Sequence, residues 1–289
     1  MSLMLSLLFA ASLATTPHPE MLVTTQWLAN NIAQPNVIVL DVATLDEFKQ
    51  GHIDGAVLLN VRQLMVRRAN IPDELPSITR LETLFRDAGV KPSATIVLTS
   101  NDPLYATRAF FTLDYLGWGD HAAVLDGGNV KWAAEKRPLS TRQVAAKKGD
   151  FKAIVNPNAL ITRDELKGLL ASNEPFVLLD ARNTNNFLGH QKGAEVEHAG
   201  HIPTAQCLPW TANTTVDHGV RTLRVTGELA DTYAALIKSA DERVVLYCRT
   251  GVEASMNYFV LRYLGFHPAL YDGSYVEWNK TEPIVGESR

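Results

Sequence analysis

Cys248 stands where a side chain can do covalent chemistry. It follows the apolar run 244–247 (Val-Val-Leu-Tyr) and opens the loop Arg249-Thr250-Gly251-Val252-Glu253, after which a helical pattern begins at Ala254. A short loop between a buried parallel strand and a helix turns its backbone N–H groups toward one point, and the first helical turn adds unsatisfied donors of its own. Ligands of open parallel sheets bind at such strand ends. An anion placed there is stabilised, and a thiolate is an anion. The setting is therefore expected to lower the Cys248 pKa below the free value of about 8.5 and to make the sulfur a nucleophile. Gly251 lets the loop adopt conformations that a side chain would forbid. The other cysteine, Cys207, lies in Ala205-Gln206-Cys207-Leu208 and reads as a small buried hydrophobe.

The elements that position this loop show as short apolar runs. Runs at 37–40, 56–59, 96–99 and 122–125 in the first half, and at 176–179, 205–208, 244–247 and 268–271 in the second, have the character of strands buried on both faces. Amphipathic stretches at 79–88, 105–116, 162–171 and 254–264 read as helices between them. This alternation predicts an α/β fold, each half a parallel sheet with helices on both faces.

The halves also repeat. Residues 96–118 lie over 244–266 without a gap, and eight of the 23 positions are identical. Val37-Ile38-Val39-Leu40-Asp41 echoes Phe176-Val177-Leu178-Leu179-Asp180, and Gly51-His52-Ile53 echoes Gly200-His201-Ile202. Val124-Leu125-Asp126-Gly127 echoes Leu270-Tyr271-Asp272-Gly273. Landmarks in the same order mark a duplicated domain. Ser100 is the counterpart of Cys248, an alcohol that does not ionise near neutral pH, so one half carries the chemistry and the other is scaffold. The stretch 139–157 is polar, rich in Lys and Arg, and reads as the linker. His52 and His201 recur in both halves, which points to a structural hydrogen-bond role, and Trp210 and Trp278 read as core.

Composition narrows the class. A chain of 289 residues suits two domains, each able to bury a core. With 27 Lys+Arg against 31 Asp+Glu, the net charge of −4 offers no cationic excess for a phosphate backbone, which argues against a nucleic-acid partner. Two cysteines rule out a disulfide framework and a cysteine-rich zinc site. After residue 20 nothing approaches the run of about 18 apolar residues that spans a membrane. The first 14 residues, MSLMLSLLFAASLA, form a short apolar run ending in Ser12-Leu13-Ala14 and read as a signal peptide, although no Lys or Arg precedes the run. A periplasmic or secreted destination is expected, with the cytoplasm as the alternative.

With these residues in view, the mature chain resembles the tandem-domain rhodanese family, which includes thiosulfate and 3-mercaptopyruvate sulfurtransferases. Phe48-Lys49-Gln50-Gly51-His52-Ile53-Asp54-Gly55-Ala56 is similar to its amino-terminal signature, with Asp54 replacing the usual Pro. Ala269-Leu270-Tyr271-Asp272-Gly273-Ser274-Tyr275-Val276-Glu277-Trp278 is similar to its carboxy-terminal signature, with Tyr275 replacing Trp or Phe. Cys248 to Glu253 falls where the family's six-residue active-site loop falls.

The resemblance implies a rhodanese-like domain without catalytic cysteine over 21–138, the linker 139–157, and a catalytic rhodanese-like domain over 158–289. It implies a persulfide mechanism. Cys248 would attack the outer sulfur of a small donor, releasing sulfite or pyruvate, and then yield that sulfur to a thiophilic acceptor such as cyanide or a thiol. Cys248 is then catalytic, and Arg249, Thr250, Gly251, Val252, Glu253 and Arg182 are the substrate-binding set. No metal or organic cofactor is implied, and the pocket is expected between the halves.

Several positions depart from the family pattern. Thiosulfate enzymes typically read Cys-Arg-Lys-Gly-Val-Thr and mercaptopyruvate enzymes Cys-Gly-Ser/Thr-Gly-Val-Thr; here Arg249 follows the first and Thr250 the second. Glu253 replaces a Thr or Ser. A carboxylate near the sulfur disfavours thiolate, but a Glu in the first helical turn complements the helix dipole and is expected to face away. Arg182 matches a family arginine and is expected to partner Asp180 or a nearby carboxylate ahead of touching the donor. Asn186 stands where many relatives carry a donor-binding arginine, and 189–198 lacks the arginine that mercaptopyruvate enzymes tend to have there. Thiosulfate is therefore the expected donor, with 3-mercaptopyruvate as the alternative. The lost cations and Glu253 support another alternative, a non-turnover sulfur carrier or redox-sensing module. A cysteine phosphatase is disfavoured, because Ala254 stands where that chemistry needs an arginine.

Overall fold

An unbroken apolar strand can be buried only between two layers, and such strands form the centres of two parallel sheets. The computed structural model describes residues 15–172 and 174–286, so the expected signal peptide lies outside the described residues. The first domain contributes β1 (Leu22–Val23), β2 (Val37–Ala43), β3 (Val57–Asn60), β4 (Thr95–Thr99) and β5 (Ala122–Leu125). They lie in the order β1-β5-β4-β2-β3, every neighbour parallel. The second contributes β6 (Leu160–Ile161), β7 (Phe176–Asp180), β8 (Gln206–Cys207), β9 (Arg243–Tyr247) and β10 (Ala269–Tyr271), in the matching order β6-β10-β9-β7-β8. The α/β architecture expected from the sequence is the one that forms.

Two counterpart helices join the domains: α1 (Pro103–Tyr115), which follows β4, and α2 (Ala254–Tyr263), which follows β9. Every residue of α2 is buried. A helix covered all round needs a second layer beyond its own sheet, and here that layer is the other domain. Phe110 meets Phe259 edge-on at 4.8 Å, and Phe111 meets Tyr258 edge-on at 5.0 Å. Thr107 Oγ1 lies 3.1 Å from Ser255 Oγ, two residues 148 positions apart in the chain. The Arg262 guanidinium lies 3.0 Å from Asp114 Oδ2 across the same spacing. Counterparts therefore face counterparts, as at the two-fold contact of a homodimer.

A hairpin from each domain crosses to the other. Val66–Arg68 pairs with Ile71–Glu74, and Thr214–Asp217 pairs with Val220–Leu223. Past the first hairpin the Leu75 N–H donates to Asp272 Oδ2 (2.6 Å); at the end of the second the Leu223 N–H donates to Asp126 Oδ1 (3.0 Å). The aspartates of the two repeated Asp-Gly landmarks are thus the docking points of the opposite hairpins.

The stretch after the first domain is anchored rather than free. Leu139–Ser140 pairs antiparallel with His52–Ile53, and Phe151 is buried between Phe85 and Trp118. The paired histidines do the same structural work in each half. His52 Nδ1 donates to Phe48 O (2.8 Å) and stacks on that ring; His201 Nδ1 donates to Phe187 O (2.9 Å) and stacks likewise.

Candidate active site

Cys248 is the first residue beyond β9, and the segment after β10 holds it in place. Ser274 Oγ accepts from the Cys248 N–H (3.3 Å) and donates to Tyr271 O (2.7 Å). The Tyr275 and Val276 N–H groups donate to the carbonyls of Cys248 and Arg249, each at 3.0 Å. The first turn of the short helix Ser274–Trp278 thereby pins the start of the cysteine loop.

The loop curls around its own sulfur. The Gly251 N–H donates to Cys248 Sγ at 3.1 Å, and the Thr250 and Ala254 amides also favour negative charge there. Gly251 has φ +85°, and a Cβ on it would lie 3.0 Å from Asp272 Oδ1 and 3.1 Å from Arg108 Nη1. Arg108 comes from α1 of the other domain and is fully buried. Its Nη2 lies 2.7 Å from Asp272 Oδ1 and donates to Asp73 O (2.7 Å). A cation of the first domain therefore backs the loop of the second.

The expected depression of the Cys248 pKa is not found. Cys248 is 1% exposed, and burial, followed by the charge of Glu253, pushes its thiol up to about 12 against the pull of the loop amides. Glu253 does not face away. It sits in helical conformation (φ −63°, ψ −38°) just ahead of α2 without capping the helix, and its charge acts on the Cys248 thiol. Burial and Asp180 raise the Glu253 pKa, with Arg182 and Arg249 opposing.

A cleft of about 510 Å³ opens between the domains in front of the loop. Arg249, Thr250, Val252 and Glu253 line one side with Asn186 and Lys192, and Met65, Asp73, Asp102, Leu104 and Tyr105 of the first domain line the other. Arg249 Nη1 donates to Ala194 O (3.3 Å), and Thr250 is buried. Arg67 of the first hairpin makes a two-pronged ion pair with Glu195 (2.7 and 2.9 Å). Met65, Arg67 and Asp73 were missed by sequence reasoning, because 65–74 carries no motif; position in the repeat, opposite the 214–223 hairpin, is the signal that could have found them, while Asp102, Leu104 and Tyr105 follow Ser100, the counterpart of Cys248.

Arg182 is not brought into the cleft. It is 3% exposed, its Nε meets Asp180 Oδ1 at 2.9 Å, its Nη2 donates to Gly200 O (2.7 Å), and it lies over the Tyr275 ring at 4.0 Å. Asn186 lines the cleft and donates to Gln191 O (2.9 Å). Cys207 is half-buried, and burial raises its thiol pKa. Trp278 is core, while Trp210 is half-buried beneath the Arg221 guanidinium. Ser100, the counterpart of Cys248, turns inward: its Oγ donates to Val42 O (2.7 Å) and accepts from the Asp102 N–H (3.2 Å). Among the described residues no cluster of three metal-ligating side chains occurs, and no helix is long and apolar enough to cross a membrane.

Comparison with known proteins agrees with this architecture. The rhodanese-like domain model matches twice, over residues 24–135 and 162–281. The sulfur carrier protein TtuD of Thermus thermophilus is 30% identical over 282 residues, covering 90% of this chain and 94% of that one. A thiosulfate sulfurtransferase of Pseudomonas aeruginosa is 28% identical, covering 87% and 91%. Among solved structures, SseA of Escherichia coli, a 3-mercaptopyruvate sulfurtransferase of "rhodanese" fold, superposes with a TM-score of 0.75 at 28% identity, covering 88% of this chain and 98% of that one. With two matched domains, two sheets of one topology and a single loop cysteine, the chain belongs to the rhodanese family of sulfurtransferases, two rhodanese-like domains in tandem.

Proposed function

We propose that this protein is a thiosulfate sulfurtransferase that works through a Cys248 persulfide. The observation that carries the reading is the asymmetry of the two counterpart loops. Cys248 Sγ receives the Gly251 N–H at 3.1 Å, whereas Ser100 Oγ is consumed by Val42 O. The Cys248 sulfur attacks the outer sulfur of thiosulfate, the bond to the sulfonate sulfur breaks, and sulfite leaves with its electron pair. The persulfide then gives its outer sulfur to cyanide or a thiol, a covalent route in two half-reactions. Loop amides aimed at the sulfur favour the anionic persulfide without reorganising. Arg249 and Lys192 on the cleft wall supply positive charge toward a small dianion. Arg182 is committed to Asp180 and residue 186 is Asn, so two positions that could clamp a mercaptopyruvate carboxylate are not available to it.

Intact mass after incubation with thiosulfate tests this directly. The reduced native chain should gain one sulfur atom, Cys248→Ser should gain none, and cyanide should remove the label. Labelling by mercaptopyruvate alone overturns the donor; no label from either donor overturns the reading. A second reading, a sulfur carrier that loads once and stalls in steady state, is favoured by the Glu253 carboxylate beside the sulfur and by the likeness to a protein named as a sulfur carrier.

A further inference from the structure

The catalytic loop has a twin. At Ser100 the first domain builds the same strand–loop–helix turn, and the second domain's hairpin, Thr214–Asp217 with Val220–Leu223, reaches over to it. Between them lies a cavity of about 390 Å³, a volume within the range of small-molecule sites. Of its lining residues Asp102 alone also lines the cleft before the cysteine loop. The repeat accounts for the difference between the halves. Arg108 of α1 crosses to Asp272 and backs the cysteine loop. In the ungapped overlay of 96–118 on 244–266 its counterpart is Met256, shorter and uncharged, and Met256 lines the cavity.

The walls are apolar, with Leu22, Val124, Val130, Met256 and Phe259 among them. The carboxylates at the rim are committed. Asp126 accepts from Lys131 Nζ and from the Leu223 N–H, each at 3.0 Å, and Asp102 accepts from the Leu104 N–H at 2.9 Å. Ser100 Oγ is spent on Val42 O. Arg221 is the exception. Its Nη1 donates to Thr214 Oγ1 (2.7 Å) and its guanidinium lies over the Trp210 ring at 5.0 Å, yet among the described residues no carboxylate pairs with it. A guanidinium carries its N–H donors in a fixed fork. The ring and the Thr214 bond hold that fork in place, so little ordering is left for a ligand to impose.

We propose that this cavity binds a small apolar carboxylate, with its hydrocarbon body against the apolar walls and its charged group on the Arg221 fork. The charges on the lining set the class. One unpaired cation suits one negative charge, and Asp102 and Asp126 oppose a dianion such as sulfate or thiosulfate. The apolar walls reward a hydrocarbon body, which a bare inorganic anion lacks.

Saturation-transfer NMR on the full reduced chain tests this, with phenylpropionate, phenylbutyrate and hexanoate as probes. At least one should bind saturably with a Kd on the order of 1 mM, as about a dozen heavy atoms provide at ordinary ligand efficiency. Its carboxamide should bind about tenfold more weakly, because the charge-assisted bonds to Arg221 are lost. Arg221→Gln should bring acid and amide to equal affinity. Val130 is 37% exposed and can take a larger side chain without entering the core. Val130→Trp should therefore weaken acid and amide alike, and it carries the test if Arg221→Gln fails to fold by circular dichroism. Cys248→Ser should bind as the native chain does, so the outcome does not depend on sulfur transfer.

No saturable binding of any probe at ten times that concentration overturns the proposal. Acid binding that survives both Arg221→Gln and Val130→Trp overturns it too. Loss of binding in Arg249→Gln would place the acid in the catalytic cleft instead, and displacement by equimolar sulfate would overturn the ligand class.

Discussion

Asp41 and Asp180 hold the same place in counterpart strands of the two halves, and their fates show how one neighbour sets a buried carboxylate. Asp180 has the Arg182 guanidinium at 2.9 Å. Asp41 has only the Asn129 amide, which donates to Oδ1 at 2.9 Å, and its Oδ2 has no hydrogen-bond partner. Burial accordingly pushes Asp41 up to about 6. A carboxyl whose folded pKa exceeds its unfolded value favours the fold below the unfolded pKa, and that contribution is lost as pH rises through the folded one. For Asp41 the window runs from about pH 4 to about pH 6. Asp41→Asn should therefore stabilise the protein by on the order of 2 kcal/mol at about pH 7.5 and by little at about pH 4, read from urea midpoints. Equal gains at both pH values would contradict the assignment. At this scale the sequence was half legible. The nearness of Arg182 to Asp180 in the chain exposed that pair, whereas the direction of Glu253 depends on a backbone conformation and an absent cap that residue type does not encode.

The elements themselves were the most legible layer, because a continuous apolar run admits few environments. Predicted strands at 96–99 and 122–125 form as Thr95–Thr99 and Ala122–Leu125, and the helix expected at 254–264 forms as Ala254–Tyr263. The run at 205–208 yields only Gln206–Cys207, at the edge of its sheet, where one side lacks a partner strand. The hairpins escaped notice, since their residues are mixed in polarity and their partners lie in the other half of the chain. The cysteine loop shows how tightly an element can be specified by its surroundings. Gly251→Ala would place a methyl at 3.0 Å from Asp272 and 3.1 Å from Arg108 on a left-handed backbone. The strain alone is about 1–2 kcal/mol, and the displaced Gly251 amide should cost about 10²-fold in the rate of persulfide formation. Single-turnover transfer from thiosulfate measures it. An unchanged rate would mean that the amide at 3.1 Å from the sulfur does not matter.

At the scale of the molecule, the two domains share one apolar core, in which Phe110 and Phe111 interlock with Tyr258 and Phe259. Arg108 and Asp272 add a buried ion pair across the boundary; a pair of this kind contributes little net stability when intact, but removing one partner typically costs about 3–5 kcal/mol. Unfolding should therefore be one cooperative transition, with calorimetric and van't Hoff enthalpies equal. Two resolved transitions would show that the domains are stable apart. The duplication was plain in the sequence, but the apposition of its counterparts, Thr107 on Ser255 and Asp114 on Arg262, was not, because a repeat reports likeness and not contact. Each half also lays its hairpin on the aspartate of the other. The copy with Ser100 has no loop cysteine but cannot be trimmed away, since the remaining half would lose both its cover and the cation beneath its loop. A chain whose reactive cysteine lies in one half alone is in this way still bound to both.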